Sequence, residues 1–74
     1  MTSPFDDFLE AVTATGRANP SWRYGQTVFN TLYFGGWDSE YANEIRGTAL
    51  DPFYNDDRAT ALMDKLRERW ATQS

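Results

Sequence analysis

Arg23, Gln26 and Asn30 fall at i, i+3 and i+7 in the segment Arg23-Tyr24-Gly25-Gln26-Thr27-Val28-Phe29-Asn30, so a helix there would set a guanidinium and two amides along one stripe. Such a stripe can recognise a carboxylate, a phosphate or a peptide backbone, because charge-assisted and bidentate hydrogen bonds are the strong ones. The same groups can instead hold an irregular stretch of the chain itself, residues 47–55, whose backbone donors and acceptors no helix would satisfy. That structural role is favoured, since buried loop backbone must find partners. Gly25 adds weight to it: a glycine inside a helix costs about 1 kcal/mol relative to alanine, and the usual return is close approach of another backbone. Arg46, just before Gly47 and flanked by Glu44 and Asp51, poses the same choice. A cation in a last helical turn complements the dipole and can pair with either acid, so a structural ion pair is favoured over an anion site. Arg23, Gln26, Asn30, Arg46 and Asp51 are therefore expected to clamp the 47–55 corner.

Other chemistries find less support. Asp51, Asp56 and Asp57 could offer oxygens to Ca²⁺ or Mg²⁺, but they lack the alternating ligands and closing glutamate of an EF-hand loop, and helix capping accounts for Asp51 and Asp56. Glu40, Glu44 and Asp51 could share a cleft as an acid/base set. The chain has no histidine and no cysteine, however, so a carboxylate would need a strong shift by burial to work near neutral pH. No nucleophile-elbow pattern surrounds a serine or threonine, and Gly35-Gly36 falls far short of a phosphate-cradling loop. We expect no catalytic residue, no cofactor and no metal, and a protein that is not an enzyme.

The elements that must position these residues read as helices. Ser3-Pro4 is an N-cap followed by proline at the first position, Asp6 and Asp7 suit the first turn, and Phe5, Phe8, Leu9 and Val12 form one apolar stripe. This predicts a helix from about Pro4 to Thr15, stopped by Gly16. Asn19-Pro20 repeats the starting signature and predicts a second, central helix running to Gly35-Gly36, with Trp22, Gly25, Phe29, Leu32 and Tyr33 on one side. Asp38 or Ser39 caps a short third helix carrying Tyr41, Ala42 and Ile45, which Gly47 ends. After the corner Asp51-Pro52-Phe53-Tyr54, Asn55 or Asp56 opens a last helix whose Ala59, Leu62, Met63, Leu66 and Trp70 share an arc of about 100°. No stretch alternates as a strand would. The expectation is an all-α fold of three to four short helices over residues 1–74, one domain, with an ordered irregular corner near 47–55.

Size and composition set the energetic terms. A chain of 74 residues without cysteine has no disulfide staple, and its core must come from three Trp, four Tyr and five Phe, 16% of the sequence. The net charge of −4 is unevenly spread: Asp38, Glu40, Glu44, Asp51, Asp56 and Asp57 face Arg46 alone in the middle of the chain. Arg58, Lys65, Arg67 and Arg69 outnumber Asp64 and Glu68 towards the end. Arg58, Lys65 and Arg69 border the last helix's apolar arc as a basic stripe, with Asp57, Asp64 and Glu68 beyond it. A DNA-recognition helix can look like this, but so does a solvated face with snorkelling stems, and the acidic balance repels phosphates. With no run of about 18 apolar residues and no basic segment leading into an apolar one, a cytoplasmic protein away from the membrane is expected.

The succession Asn19-Pro20, Trp22-Arg23-Tyr24-Gly25-Gln26, Phe29-Asn30, Glu44-Ile45-Arg46-Gly47-Thr48, Asp51-Pro52-Phe53-Tyr54 and Asp56 resembles a family of short uncharacterised proteins of bacteriophages and some bacteria. The likeness spans about half of the chain, residues 19 to 58. Where similar sequences lead into the third helix through a proline-containing acidic segment, this one has Gly35-Gly36-Trp37-Asp38. The resemblance implies a phage-type accessory protein, and such proteins commonly act by binding a host or phage protein. The expected function is protein binding, with homo-oligomerisation open. Trp37, Tyr41, Phe53, Tyr54 and Asp56 are the candidate contact residues, since aromatics are enriched at interface hot spots, although a place in the core is favoured for most of these aromatics. The alternative is a nucleic-acid-binding protein using the last helix's basic stripe, or an acidic mimic of nucleic acid.

Overall fold

A computed structural model of the chain describes residues 3–71, which form four helices: α1 (Pro4–Ala18), α2 (Tyr24–Phe34), α3 (Ser39–Ile45) and α4 (Asp57–Ala71). There is no strand among the described residues, so the all-α expectation holds. Helix α2 is central and packs against the other three, while α1 also meets α4.

Helix α1 starts as its sequence dictates. The Ser3 hydroxyl accepts from the Asp6 N–H at 3.2 Å, Pro4 opens the first turn, and Asp6 and Asp7 face the positive end of the dipole. Its end differs from expectation. Gly16 keeps a negative φ and the helix passes through it to Ala18. Asn19 closes α1 rather than opening α2: its N–H donates to the carbonyls of Thr15 and Gly16, and its side-chain amide donates to Thr15 at 3.0 Å. With that amide engaged, residues 20–23 form a turn in which the Trp22 N–H donates to the Asn19 carbonyl, and α2 begins only at Tyr24. Helix α3 is capped by Asp38, whose carboxylate accepts from the Tyr41 N–H at 3.3 Å, and Gly47, expected to end it, follows its end with φ 78°, a left-handed conformation.

The core forms where the apolar stripes meet. Phe8 of α1, Val28 and Leu32 of α2, Ala42 of α3, and Ala59, Leu62 and Leu66 of α4 are fully buried. Phe5, Val12, Phe29, Ile45, Met63 and Trp70 surround them. Trp70 closes one end by meeting Phe8 edge-on at 5.3 Å between centroids, with Trp37 at 6.3 Å. Thr27 and Thr31 are buried inside α2 because each hydroxyl donates back one turn, to the carbonyls of Arg23 and Thr27 respectively, and so carries no unmet hydrogen bond into the core.

A candidate binding groove between the central helix and the corner

Helix α2 has a defect at its start, and repairing it determines where the corner lies. The residue at its N-cap is Arg23, which has no side-chain oxygen to offer the exposed N–H groups of the first turn. Asp56, distant in sequence, does this instead: its Oδ1 accepts from the Gly25 N–H at 2.9 Å. A carboxylate there also lies at the favourable end of the helix dipole. Docking Asp56 brings Pro52 against Gly25, so closely that a Cβ built on Gly25 would overlap the Pro52 carbonyl oxygen and lie 2.9 Å from its carbon. Pro52 is fully buried by this contact. The helical glycine thus serves close backbone approach.

The rest of the corner is held mainly by its own side chains. Asp51 Oδ2 accepts from the Gly47 N–H at 2.8 Å and Oδ1 from the Phe53 N–H at 3.0 Å. The Thr48 hydroxyl donates to the Ile45 carbonyl at 2.6 Å and accepts from the Leu50 N–H, while Arg58 of α4 reaches the Thr48 carbonyl at 3.3 Å. Of the five residues expected to clamp the corner, Asp51 does so. Arg23 is exposed, Gln26 and Asn30 are half-buried, and among the described residues no side-chain hydrogen bond runs from Arg23, Gln26, Asn30 or Arg46 to the corner. Arg46 does not form the ion pair anticipated with Glu44 or Asp51. It lies over the rings of Phe29 and Tyr33, with its guanidinium carbon 5.7 and 5.2 Å from their centroids, because α2 presents those rings beside it.

Those two rings belong to a continuous row. Phe34 meets Tyr33 at 4.8 Å, Tyr33 stacks on Phe29 at 6.1 Å, Phe29 meets Phe53 edge-on at 5.9 Å, and Phe53 meets Tyr54 at 4.8 Å. The middle of the row is buried or half-buried, and its ends are not: Phe34 is 77% exposed and Tyr54 83%. Between them opens a groove of about 460 Å³, lined also by Asn30, Arg46 and Asp51. That volume lies within the span of about 300–1,000 Å³ usual for ligand pockets.

The candidate contact residues divide between two places. Phe53 and Tyr54 line the groove, whereas Asp56 is not among its lining residues and has one oxygen engaged by Gly25. Trp37 and Tyr41 do not line it. Trp37 packs edge-on against Phe8 at 5.7 Å, and Tyr41 lies under the Arg69 guanidinium at 4.5 Å. Phe34 and Tyr24, the latter 51% exposed, were not singled out by the sequence. A signal for Phe34 exists: it lies about 200° of helical arc from Leu32, opposite the buried face of α2.

Near Trp37, Asp38 gathers a second polar group. Its Oδ2 accepts from Arg69 Nε at 2.9 Å and from the Trp70 indole N–H at 3.4 Å, beside the capping bond from Tyr41. Burial pushes this carboxyl up, but the bonds from Arg69, the Tyr41 N–H and Trp70 together outweigh it and hold Asp38 below its ordinary value. Arg69 is correspondingly pushed up by its bond to Asp38. The basic stripe of α4 is therefore partly engaged in the fold, through Arg69 to Asp38 and Arg58 to Thr48. No helix among the described residues is long and apolar enough to cross a membrane.

Comparison with family models, with curated proteins and with solved structures finds no match to this chain.

Proposed function

We propose that this protein works by binding another protein, as a small phage-type accessory factor acting on a host or phage partner, and that the aromatic groove is the contact surface. The observation that carries this reading is the row of five rings whose two ends, Phe34 and Tyr54, lie open to solvent across a groove. Two large rings left exposed on so small a fold mark a surface that gains by being covered, and aromatic side chains are enriched at interfaces. We read it as a binder rather than an enzyme because the chain has no histidine and no cysteine to work near neutral pH.

The test is affinity capture from bacterial lysate with the immobilised protein and with a Phe34→Ala, Tyr54→Ala double variant. A partner retained by the first and lost by the second, with equal melting temperatures, supports the reading. Equal retention by both, or turnover of a substrate by the pure protein with no retained partner, overturns it.

A further inference from the structure

The groove's unspent polar groups define what can fill it. Asp51 has both oxygens engaged by backbone N–H groups of Gly47 and Phe53. Arg46 holds a full positive charge over the Phe29 and Tyr33 faces, exposed, with no carboxylate within ion-pair distance among the described residues. A guanidinium presents five N–H donors and no acceptor, and stacking on a ring leaves its edge donors open. The half-buried Asn30 amide lines the same groove. The walls are otherwise aromatic.

The geometry points to a short segment of a partner protein that carries a glutamate or aspartate beside a large aromatic or aliphatic side chain, its carboxylate on Arg46 and its apolar group between Phe34 and Tyr54. This rests on the binding role proposed for the groove and specifies the occupant. Charge complementarity at short range selects the carboxylate, since an acceptor of opposite charge makes the strongest bond a guanidinium can form. A lysine or arginine in its place would meet Arg46 as a like charge. The net charge of −4 disfavours an acidic ligand from afar, but that field is screened over about 8 Å at physiological salt, and the Asp51 carboxylate in the groove wall is offset by the Gly47 and Phe53 N–H groups it accepts from, which leaves the contact at Arg46 to decide. Area argues for a short segment over a second copy of this chain. A standard stable interface takes about 800 Å² from each partner, roughly one-sixth of the 4810 Å² surface here, whereas the groove of about 460 Å³ accommodates only a few side chains.

The test is fluorescence anisotropy in 0.15 M salt, using a fluorescein-labelled pentapeptide of order Ser-Glu-Phe-Leu-Ser, its Gln-for-Glu and Lys-for-Glu counterparts, and the wild-type, Arg46→Gln and Phe34→Ala proteins. The glutamate peptide should bind saturably, the glutamine peptide about tenfold more weakly and the lysine peptide more weakly still. Arg46→Gln should remove the preference for glutamate over glutamine. Circular dichroism should show Arg46→Gln folded. Equal binding of all three peptides, lost together in Phe34→Ala, would overturn the carboxylate inference and leave the groove as a binding surface. Absence of binding by every peptide overturns the inference too, and the lysate capture then decides the wider reading separately. So would a dimer in sedimentation velocity that Phe34→Ala dissociates, because the occupant would then be a second copy.

Discussion

Gly25→Ala distinguishes helix propensity from close packing more sharply than any other change in this chain. In an ordinary helix the substitution stabilises by about 1 kcal/mol, because alanine is the better helix former. Here the new methyl would overlap the Pro52 carbonyl oxygen and come within 2.9 Å of its carbon and 3.1 Å of Asp56 Oδ1. Two of these three atoms are backbone in a fully buried proline, so no side-chain rotation relieves the overlap, and either α2 or the corner must move. Overpacking costs about 1–3 kcal/mol, taken here at its upper end because backbone has to shift. Loss of the Asp56 bond to the Gly25 N–H adds about 1 kcal/mol, the value of a helix cap. Set against the gain in propensity, the net destabilisation is about 3 kcal/mol, or roughly 12–24 °C in melting temperature for a domain of this size. Thermal and urea melts followed by circular dichroism at 222 nm read it. Gly16→Ala is the control, since its Cβ would meet only the Thr27 methyl at 3.6 Å and should raise stability by about 0.5–1 kcal/mol. A Gly25→Ala protein as stable as Gly16→Ala would refute the docked corner.

Asp56→Ala removes the cap from α2 without adding a clash and should cost about 1–2 kcal/mol in urea melts, with Asp56→Asn milder because its amide oxygen can still accept. Asp38→Asn should cost about 1–2 kcal/mol near neutral pH through weakening of the cap on α3 and of the bonds to Arg69 and Trp70. Because the folded protein holds the Asp38 carboxyl below its unfolded value of about 3.9, this stability is fully present above that value and is lost as pH falls through the lowered folded one. The gap in melting temperature between wild type and Asp38→Asn should therefore narrow as pH drops from about 5 to 2. Phe34→Ala and Tyr54→Ala, at exposed positions, should each change stability by no more than about 0.5 kcal/mol while abolishing capture of a partner.

The apolar stripes of α1 and α4 were legible because their periodicity runs uninterrupted, and Ser3-Pro4, Asp38 and Gly47 marked boundaries where they stand. The opening of α2 was not, since asparagine can close a helix as well as start one, and Asn19 directs its amide back to Thr15. The true cap, Asp56, is 31 residues from Gly25, beyond the reach of any local pattern. Close approach at Gly25 was readable from the expense of a glycine in a helix, though its partner, the Pro52 carbonyl, was not. Arg46 illustrates the limit for the candidate site. Its sequence neighbours are acids, and sequence alone favours pairing with them. The ring faces it occupies come from α2, those of Tyr33 and Phe29 being 13 and 17 residues away in the chain, and only the packing of α2 against α3 brings them together.

The reliance of α2 on Asp56 also bears on the order in which the chain can fold. Isolated helices shorter than about 12–15 residues are marginal in water, and α2 has 11, rich in β-branched and aromatic residues that propagate a helix poorly. Its first turn is completed only when the chain beyond the corner has closed back upon it. The first turn of the central helix thus waits on a contact 31 residues along the chain, and a nascent chain lacks that cap until residue 56 has emerged.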